Sequence, residues 1–389
     1  MRIAIIESAA HGGLLHYHVQ LGEALAARGH AVDLVTPRDN ELARRAAKAR
    51  MRAVLTPPSA PAASGQGRRA YALRRIGVGI RLSRSWLRIL WETRPGRYDV
   101  AVIGADIALP PAALATALMT TLPGRPKLVR IAHNVHAFNR WSGEEVYSSS
   151  AIMARLIGYL YRRFDLVLVH GERSREEFAS GWPSARLAVV PHGDERIFGD
   201  PPPPSDEERV LFFGDWRKVK GLPVLMEAFD ELVRRRPTAR LTVAGTPSDE
   251  DWDPDILRRW ARGHDGRVEL IDRYVPIDEV RAVFARARVV ATPYVTGYQS
   301  GVIHLAMTMG RAVVTSDVGD LGTAVADGVT GRVVPPQNPH ELAEALDAIV
   351  ADGDLAARLG AEGRRRVLVQ SSWEHVAERV EEELLALAR

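Results

Sequence analysis

Two cations three residues apart, Arg217 and Lys220, stand in the stretch Gly214-Asp215-Trp216-Arg217-Lys218-Val219-Lys220-Gly221, between an apolar run and an amphipathic one. That spacing suits a ligand with two negative charges, such as a diphosphate, because charge-assisted contacts contribute about 1.5–3 kcal/mol each. A solvated basic loop is the plainer reading of the same residues. Two further turns could approach an anion. Gly12-Gly13 follows the first apolar run, and adjacent glycines let the backbone come close to a ligand where a helix start offers unsatisfied amides; a tight turn would look the same. In Gln299-Ser300-Gly301-Val302 the serine is a candidate N-cap and the glycine permits close approach, with a plain capped helix as the alternative. His133-Asn134, with His136, Asn139 and Arg140, forms a polar cluster that can position a sugar, stabilise developing charge, or serve structure alone.

Other chemistries lack their anchors. There is no Gly-x-Ser-x-Gly elbow, no phosphate loop of the Walker type and no His-Glu-x-x-His pair. The paired glycines are not the spaced three-glycine dinucleotide fingerprint, which disfavours a nicotinamide or flavin cofactor. Asp249, Glu250, Asp251, Asp253 and Asp255 could hold Mg²⁺ or Mn²⁺, but they precede a helix expected from about residue 256, and an acidic first turn complements the helix dipole. No metal site is assigned.

These turns need a scaffold that presents them together. Short runs rich in Val, Ile and Leu alternate with amphipathic stretches, the pattern of repeated βα units around a parallel sheet. In the first half, strands are expected at 2–6, 31–36, 99–104, 127–132 and 165–170, with a helix over 14–28. A Pro-rich break at 201–204 separates a second alternation. Its strands are expected at 210–213, 240–244, 268–271, 289–292 and 312–315, and its helices over 222–235, over 277–286, from about 301, and two between 339 and 366. A last amphipathic helix is expected over 373–387. Each candidate turn follows a strand, where ligands of open α/β sheets bind.

The 389 residues suffice for two or three domains, and 46% hydrophobic with 26% charged residues is ordinary for a globular chain. Fifty-two basic against 48 acidic residues leave a net charge of +4, which makes no case for nucleic acid. The absence of Cys removes disulfides, thiolate metal sites and a thiol nucleophile, and is simplest in a reducing compartment. The apolar run at 3–6 is too short for a secretory signal, and the longest uncharged run, 107–124, carries Pro110 and Pro111 and is too short to span a bilayer. Residues 68–97 hold nine Arg and one acid, Glu92, among Leu73, Ile76, Ile80, Trp86, Leu87, Leu90 and Trp91. This basic amphipathic stretch suits an anionic lipid surface, or a helix packing Leu73, Ile76, Ile80 and Leu87 onto the first sheet.

Taken in order, Gly12-Gly13, Arg28-Gly29-His30-Ala31-Val32, Val190-Pro191-His192-Gly193, Gly214 with Arg217 and Lys220-Gly221, and Val243-Ala244-Gly245 resemble glycosyltransferase family 4. Ser316-Asp317-Val318-Gly319-Asp320-Leu321, Asp327-Gly328-Val329-Thr330-Gly331 and Val334-Pro335-Pro336 extend the resemblance over nearly the whole chain. It implies an α/β GT-B fold, with two Rossmann-like doubly wound domains facing a central cleft and a C-terminal helix returning to the first. Residues 1–193 with 371–389 would form the acceptor domain, and 194–370 the nucleotide-sugar domain.

The implied activity is metal-independent transfer of a sugar, with retention, from a nucleotide diphosphate sugar to a hydroxyl acceptor. The resemblance places Arg217 and Lys220 on the donor diphosphate, Gly12, Gly13, Ser300, Gly301 and Val302 at its phosphates, and His133 near the transferred sugar. It places Arg273, Tyr274 and Val275 at the nucleobase. His16 and Asn134 are assigned to the acceptor. The family usually carries two Glu eight positions apart, where this chain has Gly297 and Leu305; Gln299 and His304 are the polar substitutes nearby. A noncatalytic transferase-like partner and a sugar-nucleotide 2-epimerase are the alternatives. The partners expected are a nucleotide sugar and an unidentified hydroxyl acceptor, with peripheral membrane contact through 68–97 and a cytoplasmic location.

Overall fold

The first apolar run becomes the centre of a sheet. The computed structural model describes residues 1–56, 68–105, 107, 110–133, 137–138, 145–146, 151–183, 185–248 and 252–388, with side chains described except at 68–76, 78, 137–138, 145–146, 151–154 and 388. In it β1 (Arg2–Ile6) lies between β2 (Ala31–Pro37) and β4 (Val100–Ile103), parallel to both. Ile3, Ala4, Ile5 and Ile6 have no exposed surface, as a strand covered on both faces requires.

Adding β3 (Arg50–Leu55), β5 (Lys127–Ile131), β8 (Leu166–Val169) and β9 (Leu187–Val189) gives a seven-stranded parallel sheet of order β3-β2-β1-β4-β5-β8-β9. A short antiparallel ribbon, β6 (Ala137–Phe138) with β7 (Glu145–Val146), stands apart. The first-half helices are α1 (Gly13–Ala27), α2 (Arg68–Glu92), α3 (Pro110–Thr121), α4 (Ala151–Tyr161) and α5 (Glu172–Gly181).

The second sheet has the order β12-β11-β10-β13-β14-β15 and is parallel throughout. Its strands are β10 (Arg209–Phe213), β11 (Arg240–Ala244), β12 (Val268–Ile271), β13 (Val289–Thr292), β14 (Ala312–Ser316) and β15 (Gly331–Val334). Around it lie α6 (Leu222–Arg235), α7 (Pro254–Arg262), α8 (Ile277–Ala285), α9 (Gly301–Thr308), α10 (Leu321–Ala324), α11 (Pro339–Ala351) and α12 (Gly353–Gln370). The strand order reverses between β1 and β4 and between β10 and β13, and the Gly12 and Arg217 loops leave β1 and β10 at those switch points.

The last helix, α13 (Trp373–Ala388), packs on α1, giving the returning helix of the expected two-domain α/β architecture. Trp373 anchors it. Its indole donates to the Asp194 carbonyl at 2.8 Å, and its ring lies so close to Gly193 that a Cβ there would stand 2.2 Å from it. Truncating a buried Trp of this kind to Ala costs about 3–5 kcal/mol. Farther along, Glu381 takes Arg28 and His30 of the first domain, the latter at 2.7 Å.

Two sequence expectations need correction. Strands β3, β9 and β15 were not anticipated as strands, and all three are sheet edges, where one flank is unpaired and the apolar signal is short or diluted. The face of α2 is also different. Trp86 and Ile89 point inward, whereas Ile80 and Leu87, expected against the sheet, are 50% and 65% exposed, as is Trp91 at 59%. Leu73 and Ile76 lie outside the described side chains. Glu92, the one acid of the stretch, is buried with Arg52, Arg88 and Arg97 within 3.0 Å, and its pair with Arg52 of β3 ties this face of α2, with Trp86 and Ile89, to the sheet.

Candidate active site in the interdomain cleft

From the end of β10 the chain turns through Gly214-Asp215-Trp216 and a single 3₁₀ turn, Lys218–Lys220, into α6. Arg217 and Lys220 thereby line one small pocket of about 50 Å³ with Val219, Tyr294, Thr296, Gly297, Tyr298 and Gln299. The Arg217 guanidinium is held 2.5 Å from Asp215, and the Lys220 ammonium sits 3.9 Å over the Tyr294 ring. Tyr294 also meets Ser300, at 3.0 Å. Ser300 occupies the N-cap position of α9 as expected, but its hydroxyl faces Tyr294 and makes no capping bond. Gly301 and Val302 open α9 beside it, with Gly301 close to His192 and Glu195.

Across the cleft, Gly12 precedes α1 with φ of +88°, which disfavours any side chain, and a Cβ at Gly12 or Gly13 would meet nothing within 4 Å. The Gly12 N–H donates to Glu41 at 2.7 Å. The same carboxylate takes His16 Nε2 at 2.6 Å and, from the second domain, the Tyr274 hydroxyl at 2.8 Å. Burial raises the Glu41 pKa, but the bonds from His16, Gly12 and Tyr274 outweigh it and bring it down to about 2. Tyr274 is pushed up by burial and by Glu41.

Residues expected at the phosphate, acceptor and nucleobase thus converge on one carboxylate that the sequence reading did not single out. Its signal was positional, in a turn just beyond the carboxyl end of β2. Of the other nucleobase candidates, Arg273 is exposed and paired with Glu279, and the Val275 side chain is in the core.

His133, at the end of β5, belongs to a line of five imidazoles, four of which surround Tyr17. Ring centroids are 5.4 Å apart for His18–His133, 4.8 Å for His133–His170, 5.4 Å for His170–His192 and 4.7 Å for His192–His304. Burial lowers the pKa of His133, His170, His192 and His304, to about 3 for His170 and about 4 for His304, so all four are neutral at physiological pH. Among the described residues the rings are not arranged as a metal site. His18 instead meets Glu7, 2.9 Å away.

Gln299 connects this cluster to the Arg217 pocket, its amide lying 3.5 Å from His133 Nδ1. His304, the other expected polar substitute, does not line that pocket. One helical turn below Ser300, its ring stacks on His192 and lines an adjoining cavity of about 190 Å³ at the hinge, with His170, Asp320 and Arg366, and Gln299 lines both. Of the positions lacking the usual carboxylates, Gly297 lines the pocket and Leu305 is buried in the core. Asn134, His136, Asn139 and Arg140 lie outside the described residues, as do Asp249, Glu250 and Asp251. Asp253 caps α7 by accepting the Asp255 N–H at 2.9 Å, the helix-start role expected of the acidic segment.

The cleft is closed from both sides. Tyr274–Glu41 and Arg45–Asp278 join the domains at one end and Tyr298–Glu177 at the other, where Tyr298 donates at 3.0 Å. Between them Gln20 of α1 reaches Glu195 at 3.3 Å.

Comparison with known proteins matches residues 11–193 to Glycosyltransferase Family 4 and residues 207–352 to Glycosyl transferases group 1. The chain is 28% identical over 293 residues to an alpha-maltose-1-phosphate synthase of Mycolicibacterium smegmatis, covering 68% of this chain and 74% of that protein. It is 33% identical over 161 residues to a D-inositol 3-phosphate glycosyltransferase of Corynebacterium glutamicum, covering 40% and 38%. Among solved structures, the fold is similar to a sucrose-phosphate synthase from Thermosynechococcus elongatus, with a TM-score of 0.75, 21% identity, and 100% and 99% of the two chains covered. It is also similar to Anabaena HepE in complex with UDP and glucose, with a TM-score of 0.72, 16% identity, and 99% and 100% covered.

Proposed function

The chain is a glycosyltransferase of the family-4 type with the GT-B fold, and from that premise we propose that it transfers a sugar, with retention and without a metal, from a nucleoside diphosphate sugar to a hydroxyl acceptor. The observation that carries this reading is the pocket shared by Arg217, Lys220 and Gln299, with Gln299 lying 3.5 Å from His133 of the first domain. In the step proposed, the bond from the sugar's anomeric carbon to the diphosphate oxygen breaks. The acceptor oxygen bonds to the same face, and its proton passes to the departing diphosphate. Arg217 and Lys220 stabilise the charge that develops there, with the Gly301 end of α9 on one side and the Gly12-Gly13 loop on the other. Both cations have present partners, Asp215 and the Tyr294 ring, which position them before the donor arrives.

Tyr274 lies beside the first-domain loop, its ring 5.0 Å from that of His11, so nucleotide entry at this end requires the Tyr274–Glu41 contact to part. Opening and closing of the cleft then belongs to the catalytic cycle. A UDP-sugar is the first donor to try, since HepE is a UDP and glucose complex of the same fold.

The exposed Ile80, Leu87 and Trp91 of α2, with Leu114 and Leu118 of the neighbouring α3, lie among Arg84, Arg88 and Arg94. This favours peripheral contact with an anionic membrane at the cytoplasmic face, presenting the first domain to its acceptor. No described helix is long and apolar enough to cross a membrane.

Calorimetry with UDP, GDP, dTDP and ADP, each with and without Mg²⁺, tests the donor site. Micromolar binding of one diphosphate without metal is expected. Absence of binding by all four would turn the reading toward a noncatalytic partner, and an epimer formed from donor without acceptor would turn it toward an epimerase.

A further inference from the structure

We propose that His170 is a positioning residue that sets the tautomer of His133, so that His133 meets a hydroxyl of the sugar or acceptor as a hydrogen-bond acceptor and does not donate to phosphate. This inference rests on the proposed function of the cleft. The chain of bonds begins at a carbonyl. His170 Nδ1 lies 3.3 Å from the Val190 oxygen, which can only accept, so Nδ1 carries the proton. Val190 is itself held by its N–H to the Val169 carbonyl at 2.9 Å, so that oxygen is tied to the sheet.

In a neutral imidazole the other nitrogen then bears the lone pair. His170 Nε2 stands 3.1 Å from His133 Nδ1, which must supply the hydrogen. His133 Nε2 is left as an acceptor, buried and without a partner among the described residues. Gln299 is constrained by this assignment. Its amide faces the same His133 Nδ1, and its oxygen otherwise has no partner among the described residues. Exchanging its oxygen and nitrogen removes the donor–donor contact, while the single Nδ1 proton stays with His170 Nε2.

The consequence is chemical selectivity. A buried lone pair on the ring that neighbours Gln299, itself in the Arg217 and Lys220 pocket, attracts an O–H and repels a phosphate oxygen. The anionic part of the donor is left to the cations and amides, and His133 is left to a hydroxyl.

Nitrogen-15 NMR of histidine-labelled protein reads the tautomer directly, and the intact protein alone is a test before any variant is made. Protonation of His133 at Nδ1 is expected, and protonation at Nε2 overturns the proposal. In His170→Phe, which keeps ring volume but removes the acceptor, the preference for Nδ1 should be lost. Release of UDP from UDP-glucose should fall at least tenfold in kcat with little change in KM. His170→Gln, which keeps an acceptor oxygen, should restore both. An unchanged His133 tautomer in a folded His170→Phe protein overturns the inference and leaves the donor reading standing. A changed tautomer with unchanged turnover removes His133 from the reaction, and His170's role with it.

Discussion

Asp320, at the start of α10, caps a helix of the other domain: its carboxylate accepts the backbone N–H of Ser174, in the first turn of α5, at 2.9 Å. The Arg173 N–H reaches the same carboxylate at 3.1 Å and the Ser174 hydroxyl also bonds to it. Gly171 makes the approach feasible, since a Cβ there would stand 2.1 Å from the Asp320 carboxyl carbon. Arg173 completes the grip on Asp317 at 2.6 Å and on the Gly319 carbonyl at 2.9 Å. An anion at a helix N-terminus is favoured by unsatisfied amides and by the helix dipole, and here the anion belongs to the opposite side of the cleft.

This latch is expected to hold the closed arrangement. Asp320→Ala should lower stability by about 0.5–2 kcal/mol, the usual effect of losing a helix cap. It should also raise the radius of gyration measured by X-ray scattering. Gly171→Ala should open the cleft through steric conflict alone. If both variants scatter like the parent protein, the latch does not govern closure.

Arg217 and Lys220 carry the clearest binding prediction. Arg217→Ala and Lys220→Ala should each weaken the best-binding nucleoside diphosphate about 10- to 100-fold by calorimetry, with the thermal unfolding midpoint nearly unchanged. Asp215→Asn should have a smaller effect, since it frees Arg217 but does not remove it. Unaltered affinity in Arg217→Ala would move the diphosphate elsewhere.

Glu195 predicts a pH dependence. Burial pushes its carboxyl up to about 8, with the Asp194 charge adding to the rise and Gln20 opposing it. The folded chain therefore keeps a proton that the unfolded chain releases near the ordinary value of 4.5. Between those values the folded state binds more protons, so this group's contribution to stability falls as pH rises toward 8. Denaturant titrations at pH 5 and pH 8 should show the loss, and Glu195→Gln should remove most of it. Equal slopes in the two proteins would contradict the assignment.

The α2 surface can be tested with vesicles. Leu87→Glu combined with Trp91→Glu should reduce co-sedimentation with anionic vesicles at low salt at least tenfold, since each side chain contributes about 1.5–3 kcal/mol when buried in an apolar medium. Both residues are exposed, so folding should be unaffected. Equal binding by parent and variant would remove this face from any membrane contact.

Much of the frame was legible in the sequence. The buried strands of both sheets are mostly apolar runs, with single interruptions such as Asp33, Arg130 and Thr242, and the Gly12, Arg217 and Ser300 turns were found because a chemically active residue just past a strand is a local pattern. His170 follows β8 in the same way that His133 follows β5, so the rule could have found it, but only its distance from His133 reveals what it does. The edge strands and the rotation of α2 were less legible. An edge strand shows only part of an apolar pattern, and the inward face of α2 includes the Glu92–Arg52 pair, which joins residues 40 positions apart.

By itself the sequence determined the alternation of strands and helices, the two-sheet architecture and the loops at which chemistry would sit, because hydrophobic periodicity and turn chemistry act over a few residues. Only the tertiary structure decided which side chains meet. Glu41 bonds Tyr274 across 233 positions, Asp320 caps Ser174 across 146, and His304 falls in the hinge cavity while Gln299 reaches the Arg217 pocket. Such pairings depend on how two sheets are set against each other, and hydrogen bonds and ion pairs, which act over only a few ångströms, form after long-range packing has brought distant residues together.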